Sequence, residues 1–101
     1  MHLKVEVNGK KEIHSFEGKN KITIGRSPSC DIQVVAEGIS RKHVDITCEN
    51  GDFYVVDHGS TNGTFVNEEQ IKAGEKVSFN TFFPIKLGFH VTVHLLNETD
   101  L

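Results

Sequence analysis

The sequence predicts an all-β domain: a β-sandwich of two twisted, mostly antiparallel sheets made of about ten or eleven short strands. Apolar and β-branched residues alternate with polar ones in short runs, the period-2 mark of strands with one face on a core. Gly- and Asn-containing turns separate these runs, most plainly Asn8-Gly9 and Asn50-Gly51. No 3.6-period apolar stripe of helical length occurs, and no internal repeat is evident. With 101 residues the chain is long enough for one domain, spanning 1–101, and too short for two. Strand-like ends on both sides suit a domain excised from, or terminal in, a larger protein.

Leu3, Val5 and Val7 alternate with Lys4 and Glu6 as the first strand. Asn8-Gly9 follows, a pair that tolerates the left-handed backbone a type I′ turn requires. The chain returns through Ile13 to Phe16, and Gly18 closes the hairpin. Lys21–Ile24 is the next strand and delivers Gly25-Arg26 at its end. Ser27-Pro28-Ser29 is a loop, because Pro28 fixes its own φ and pushes Ser27 from the helical region. Asp31 to Val35 reads as a strand, followed by Ala36-Glu37-Gly38 and Ile39-Ser40-Arg41-Lys42. Positions 43 to 57 read as an antiparallel hairpin turning at Asn50-Gly51. Thr64-Phe65-Val66 is too short to stand alone and belongs at a sheet edge or a crossing between sheets. Asn67–Gln70 is expected as a polar turn, Lys76–Phe79 as a strand, and Phe82-Phe83-Pro84 as a tight apolar corner. Ile85–Phe89 and Val91–Leu96 form the closing strands, one of them beside the first.

The net charge of −3 argues against general affinity for nucleic acid or an anionic membrane. No run approaches the roughly 18 apolar residues of a membrane span. Met1 leads directly into a strand pattern, and the two cysteines lack ligand-like spacing, so a reducing, cytoplasmic setting is expected. Asn62-Gly63-Thr64 and Asn97-Glu98-Thr99 match the glycosylation rule, which acts only on secreted chains. His90 and His94, on one strand face, would stand about 13 Å apart, too far for one metal. No metal or cofactor is expected. The Gly25 loop lacks the Gly-Lys-Ser/Thr end of a nucleotide-binding P-loop.

Three loops stand out: Gly25-Arg26, Ser40-Arg41-Lys42-His43, and Gly59-Ser60-Thr61-Asn62-Gly63-Thr64. Gathered at one rim of a sandwich, they offer a guanidinium fork, two hydroxyls, a carboxamide and several backbone amides. That inventory suits a phosphoryl group displayed on a chain. The same residues, with Asp31-Ile32 and Gly74-Glu75-Lys76-Val77 in order and spacing, resemble the signature of the forkhead-associated (FHA) family. The likeness covers roughly positions 20 to 80 and implies the FHA/SMAD-like sandwich and phosphothreonine recognition.

The resemblance implies a role for each loop residue. Arg26 clamps the phosphate, and Ser40 gives it a hydroxyl and a backbone N–H. Arg41 adds a cation, Thr61 a second hydroxyl, and Asn62 pairs with the bound peptide's backbone. Lys42 is a secondary contact only. Gly25, His43 and Gly63 support the site; His43 braces the loops by hydrogen bonding and touches no ligand, while Gly63 takes a positive φ. A small apolar niche for the threonine γ-methyl would favour phosphothreonine over phosphoserine. Asn80 and Gly38 depart from the pattern, standing where a glycine and a basic contact residue are frequent. The expected partner is a phosphothreonine-containing protein or peptide, with a Ser/Thr protein kinase in the pathway and neither nucleic acid nor membrane. The alternative is a phosphate-independent structural or oligomerisation module of the same fold. No catalytic residue is expected, since neither His43 nor His58 has an acidic partner apparent in the sequence.

Overall fold

The computed structural model describes residues 1–100. Eleven strands make two sheets: β1 (His2–Val7), β2 (Lys10–Ser15), β3 (Lys21–Gly25), β4 (Ile32–Gln33), β5 (Val44–Glu49), β6 (Asp52–Asp57), β7 (Thr64–Val66), β8 (Glu69–Gln70), β9 (Lys76–Phe79), β10 (Ile85–Leu87) and β11 (Val91–Leu96). One sheet runs β2-β1-β11-β10-β7-β8 and the other β4-β3-β5-β6-β9. The β1–β11 pairing joins the first and last strands, as expected. Asn8 and Gly9 (φ 49° and 85°), like Asn50 and Gly51 (52° and 83°), take the left-handed backbone of the predicted turns.

Alternation decides what is buried. Leu3 and Val5 of β1, Val91, Val93 and Leu95 of β11, and Ile85 and Leu87 of β10 face inward from the six-stranded sheet. Ile22, Ile24, Val44, Ile46 and Val55 meet them from the other. Each such side chain, taken fully out of water, contributes on the order of 2 kcal/mol. Phe16, Phe53 and Phe79 stack edge to face, with centroids 5.3 and 6.4 Å apart. They close the core at the pole where the Asn50-Gly51 turn lies.

Three expectations need correction. The 31–35 strand shrinks to Ile32–Gln33, because it is a parallel edge beside β3 and leaves the ladder once the Val34 N–H bonds the Gly25 carbonyl (2.8 Å). Within the polar segment 67–70, Glu69 and Gln70 pair with Val66 and Phe65 as a strand, and only Asn67-Glu68 turns. The strand expected over Ile85–Phe89 ends at Leu87, because the chain turns at Gly88-Phe89 to enter β11. The apolar corner at Phe82-Phe83-Pro84 forms as a turn and lies on the surface, with Phe82 82% and Phe83 47% exposed. Hydrophobicity alone did not say which side of the sheet they would lie on. As anticipated, β7 crosses between sheets, following β6 of one and joining the other beside β10.

Candidate functional site

The strands β3, β5 and β6 deliver the three loops to one pole. There the first loop is zipped onto the second: the Arg26 N–H donates to the Ser40 carbonyl (2.9 Å) and the Ser27 N–H to the Arg41 carbonyl (3.0 Å). Gly25 permits this approach. A Cβ added to it would sit 2.1 Å from the Arg41 carbonyl oxygen, so any side chain would drive the loops apart. From below, Asp31 accepts bonds from the Thr23 N–H (2.9 Å) and hydroxyl (3.1 Å), which anchors the first loop's far end. Those bonds, led by the backbone one, hold the Asp31 carboxyl below its usual pKa.

Arg26 donates from Nε to the Ile39 carbonyl at 3.2 Å. Its terminal Nη groups have no protein partner among the described residues. One bond therefore fixes the fork while leaving the donors that match a phosphate free. Ser40 Oγ accepts the Thr61 N–H at 3.1 Å, which joins the second loop to the third and leaves the hydroxyl proton for a ligand. The Ser40 backbone N–H is committed elsewhere, donating to His43 Nδ1 at 3.2 Å. That corrects the expectation that it would bind phosphate. Asn62 donates one amide hydrogen to the Gly38 carbonyl (3.1 Å), keeping its oxygen and second N–H in reserve.

His43 is fully buried. Its Nδ1 accepts from Ser40 while its Nε2 lies 2.9 Å from the Gly63 carbonyl, which can only accept, so the proton sits on Nε2. One neutral ring thus ties two loops together. Burial lowers its pKa, against the opposing pull of the Gly63 bond and the nearby Asp57 charge. Gly63 has φ 88°, as anticipated.

Asp57 holds the third loop, and sequence reasoning missed it. One carboxylate oxygen accepts the N–H groups of Gly59 (2.7 Å) and Ser60 (2.8 Å); the other accepts the hydroxyls of Ser60 and Thr64, both at 2.6 Å. Burial raises its pKa, but the bonds from Ser60, Thr64 and Gly59 prevail and hold it below the usual carboxylate value. The spacing Asp57-His58-Gly59-Ser60 was the available signal, since an Asp often caps the amides two and three residues on.

The outcome is one open depression of about 550 Å³ lined by Arg26, Ser40, Arg41, Thr61 and Asn62, together with Ala36, Glu37, Gly38 and Ile39. All five residues to which the family resemblance gave a ligand contact line it. Lys42 is exposed but does not. His58 corrects another expectation: its Nε2 lies 2.8 Å from Asp45 Oδ2, an acidic partner that only the β-sheet register reveals. It does not line this depression. Among the described residues, no group of three or more His, Cys, Asp or Glu could hold a metal ion.

Comparison with known proteins agrees with this geometry. The glycogen accumulation regulator GarA of Mycobacterium tuberculosis is 40% identical over 63 residues, 57% of this chain and 39% of that protein. The oxoglutarate dehydrogenase inhibitor of Corynebacterium glutamicum is 37% identical over 65 residues, 59% of this chain and 46% of its own. The matches thus span less than half the length of these curated relatives. Among solved structures, the N-terminal FHA domain of S. cerevisiae Rad53p, in complex with a phosphothreonine peptide, superposes with a TM-score of 0.77 at 20% identity. That superposition covers 99% of this chain and 98% of that one. The FHA domain family model matches residues 22–88, from β3 to the end of β10 and across all three loops, so the chain belongs to the FHA domain family.

Proposed function

We propose that this domain recognises phosphothreonine in an extended segment of a partner protein and does no chemistry on it. The observation that carries the reading is the convergence of Arg26, Ser40, Arg41, Thr61 and Asn62, from three loops, on one solvent-open depression. Arg26 and Arg41 supply charge, the Ser40 and Thr61 hydroxyls supply donors, and Asn62 aligns the peptide backbone. The relative solved with a phosphothreonine peptide bears the same fold.

Few apolar groups need be buried, so affinity in the micromolar range, roughly 7–9 kcal/mol, is expected. A Ser/Thr kinase acting on the partner is the implied switch. The free thiols Cys30 and Cys48 suit a cytoplasmic setting, where such a switch would operate. The regulatory names of the bacterial relatives favour a role in which phosphorylation brings this domain to, or away from, a target.

The test is an NMR titration with a degenerate phosphothreonine peptide pool, beside phosphoserine and unphosphorylated versions. Shifts should cluster at 26, 40–41 and 60–63, be largest for phosphothreonine, and vanish in Arg26→Ala. A well-folded protein silent at millimolar peptide would refute the reading. Binding to a partner that survives Arg26→Ala would instead support the phosphate-independent module.

A further inference from the structure

Strand β2 is a free edge of the six-stranded sheet and spans six residues. The other three sheet edges, β4, β8 and β9, span two, two and four. Yet β2 builds no core. Opposite Leu3 and Val5 of β1, which are both buried, it carries His14 and Glu12. The apolar interior therefore stops at β1, and β2 overhangs it with both faces wet. Its one large apolar side chain, Ile13, is 48% exposed on the outer face, in a row with Lys4 and His94. A regular strand with an unpaired row of N–H and C=O groups is a template for a further strand.

The side chains of β2 select which strand fits. Directly opposite residues of an antiparallel ladder share a face, so a two-fold axis normal to the sheet passes where one residue meets its own copy. With the axis at Lys11 or Glu12, like charges would stand opposite each other, which is destabilising. With the axis at His14, Ile13 would face only Ser15. With the axis at Ile13, the two Ile13 side chains meet, and Glu12 faces His14 on either side of them. Those two residues already partner within one chain, His14 Nε2 lying 3.2 Å from Glu12 Oε2. Lys11 then falls opposite Ser15, so no two cations meet. Lysines guard an edge against arbitrary strands, and here they leave one register open.

We infer that β2 is a self-association edge: two copies of this chain pair β2 antiparallel to β2, with Ile13 on the two-fold axis, and their six-stranded sheets become continuous. The contact is isologous, so it closes at a dimer. One strand a side is far less than the roughly 20–30 residues of a stable interface, so the dimer is weak and reversible, with Kd on the order of 100 μM. The Lys10 end of β2 lies toward the phosphate-binding rim. Lys10 is opposite Val7, Val7 is opposite Val91, and Val91 follows the Gly88 turn that bonds the Gly63 carbonyl. Antiparallel pairing therefore points the two rims in opposite directions. On the phosphothreonine reading above, the dimer would bridge two phosphorylated partners instead of gripping one of them twice.

The experiment is sedimentation equilibrium covering about tenfold to either side of that Kd, with NMR shifts followed over the same range. No phosphopeptide is present, so failure here leaves the phosphothreonine reading standing. The wild type should pass from monomer to dimer, with concentration-dependent shifts confined to β2 and the adjoining β1. Ile13→Lys, which sets two lysines on the axis, should weaken the dimer at least about tenfold, while Ile13→Val keeps it. Glu12→Lys should weaken it too. Adding His14→Glu to Glu12→Lys restores opposite charges in the same register and should recover the dimer. Ile13 and Glu12 are exposed, so each variant should keep the wild-type spectrum away from β2, and recovery in the double variant separates lost pairing from lost folding. A wild type that stays monomeric throughout would overturn the inference. So would a dimer unmoved by Ile13→Lys, a double variant that fails to recover, or shifts centred elsewhere, such as at Phe82 and Phe83.

Discussion

The β5–β6 hairpin ends in two different ways. At its closed end Glu49 faces Asp52 across Asn50-Gly51, and the turn is specified by those two residues alone. At its open end Val44 faces Asp57, and the flanking loops are held by bonds to residues far away in sequence. His43 reaches Gly63, Ser40 reaches Thr61, Asn62 reaches Gly38, and Arg26 reaches Ile39. A turn that needs only its own residues can form early and vary freely. A rim that depends on its neighbours forms only when the whole sandwich closes, and it then stands ready before any ligand arrives. Preorganisation of this kind lowers the ordering cost that binding must meet. His43 and Asp57, at the two strand ends, are its hidden supports.

The largest effect should come from Asp57→Ala. The change strands two backbone N–H groups and two hydroxyls, one of them on fully buried Thr64. A loss of about 3 kcal/mol is expected in urea unfolding, together with loss of phosphothreonine binding, although Asp57 would touch no ligand. Retained affinity in a folded Asp57→Ala protein would show that the rim does not depend on this support. In the wild type the carboxylate's contribution is present above its ordinary value of 3.8 and lost as pH falls through the lowered folded-state value.

Asp57 also shows where sequence reasoning stopped. Arg26, Ser40, His43 and Asn62 stood out because they match the family's motif in type and order, and the Asn-Gly turns because their backbone needs are local. The bonds of Asp57 depend on how the loop after β6 folds back, so in the sequence it was only an acidic strand end. The His58–Asp45 pair needs the register of two strands, and Gly25's requirement needs the path of a loop more than ten residues on. Strand β8 has no buried side chain to announce it, since backbone pairing alone holds Glu69 and Gln70. Phe82 and Phe83 were legible as an apolar corner, but apolar character did not reveal that both would lie exposed outside the core.

A smaller effect separates His43 from its surroundings through pH. Burial holds its folded-state pKa below the ordinary 6.5. Between the two values the unfolded chain carries a proton that the folded ring lacks, so stability rises with pH through that window. It is fully present above 6.5 and declines as pH falls below. His94 is shifted the same way, first by burial and then by Lys4, so the measurement belongs in a His94→Gln background. There the urea midpoint should drop between pH 7.5 and 5, and His43→Gln should flatten that slope while costing about 2 kcal/mol at pH 7.5. An unchanged slope in His43→Gln would assign the proton to another group.

The smallest effect tests the closed end. Gly51 has φ 83° with no atom within 4 Å of a Cβ built there, so Gly51→Ala meets backbone strain and no clash. It should cost about 1 kcal/mol in unfolding. Affinity for the phosphothreonine pool should stay within about twofold, because no bond of the rim passes through this turn. Reduced affinity in a fully folded Gly51→Ala protein would mean that strain travels along β5 and β6 to His43 and Asp57. The two ends would then be coupled through the hairpin's own ladder, and the rim's readiness would belong to the whole sheet instead of to two buried side chains.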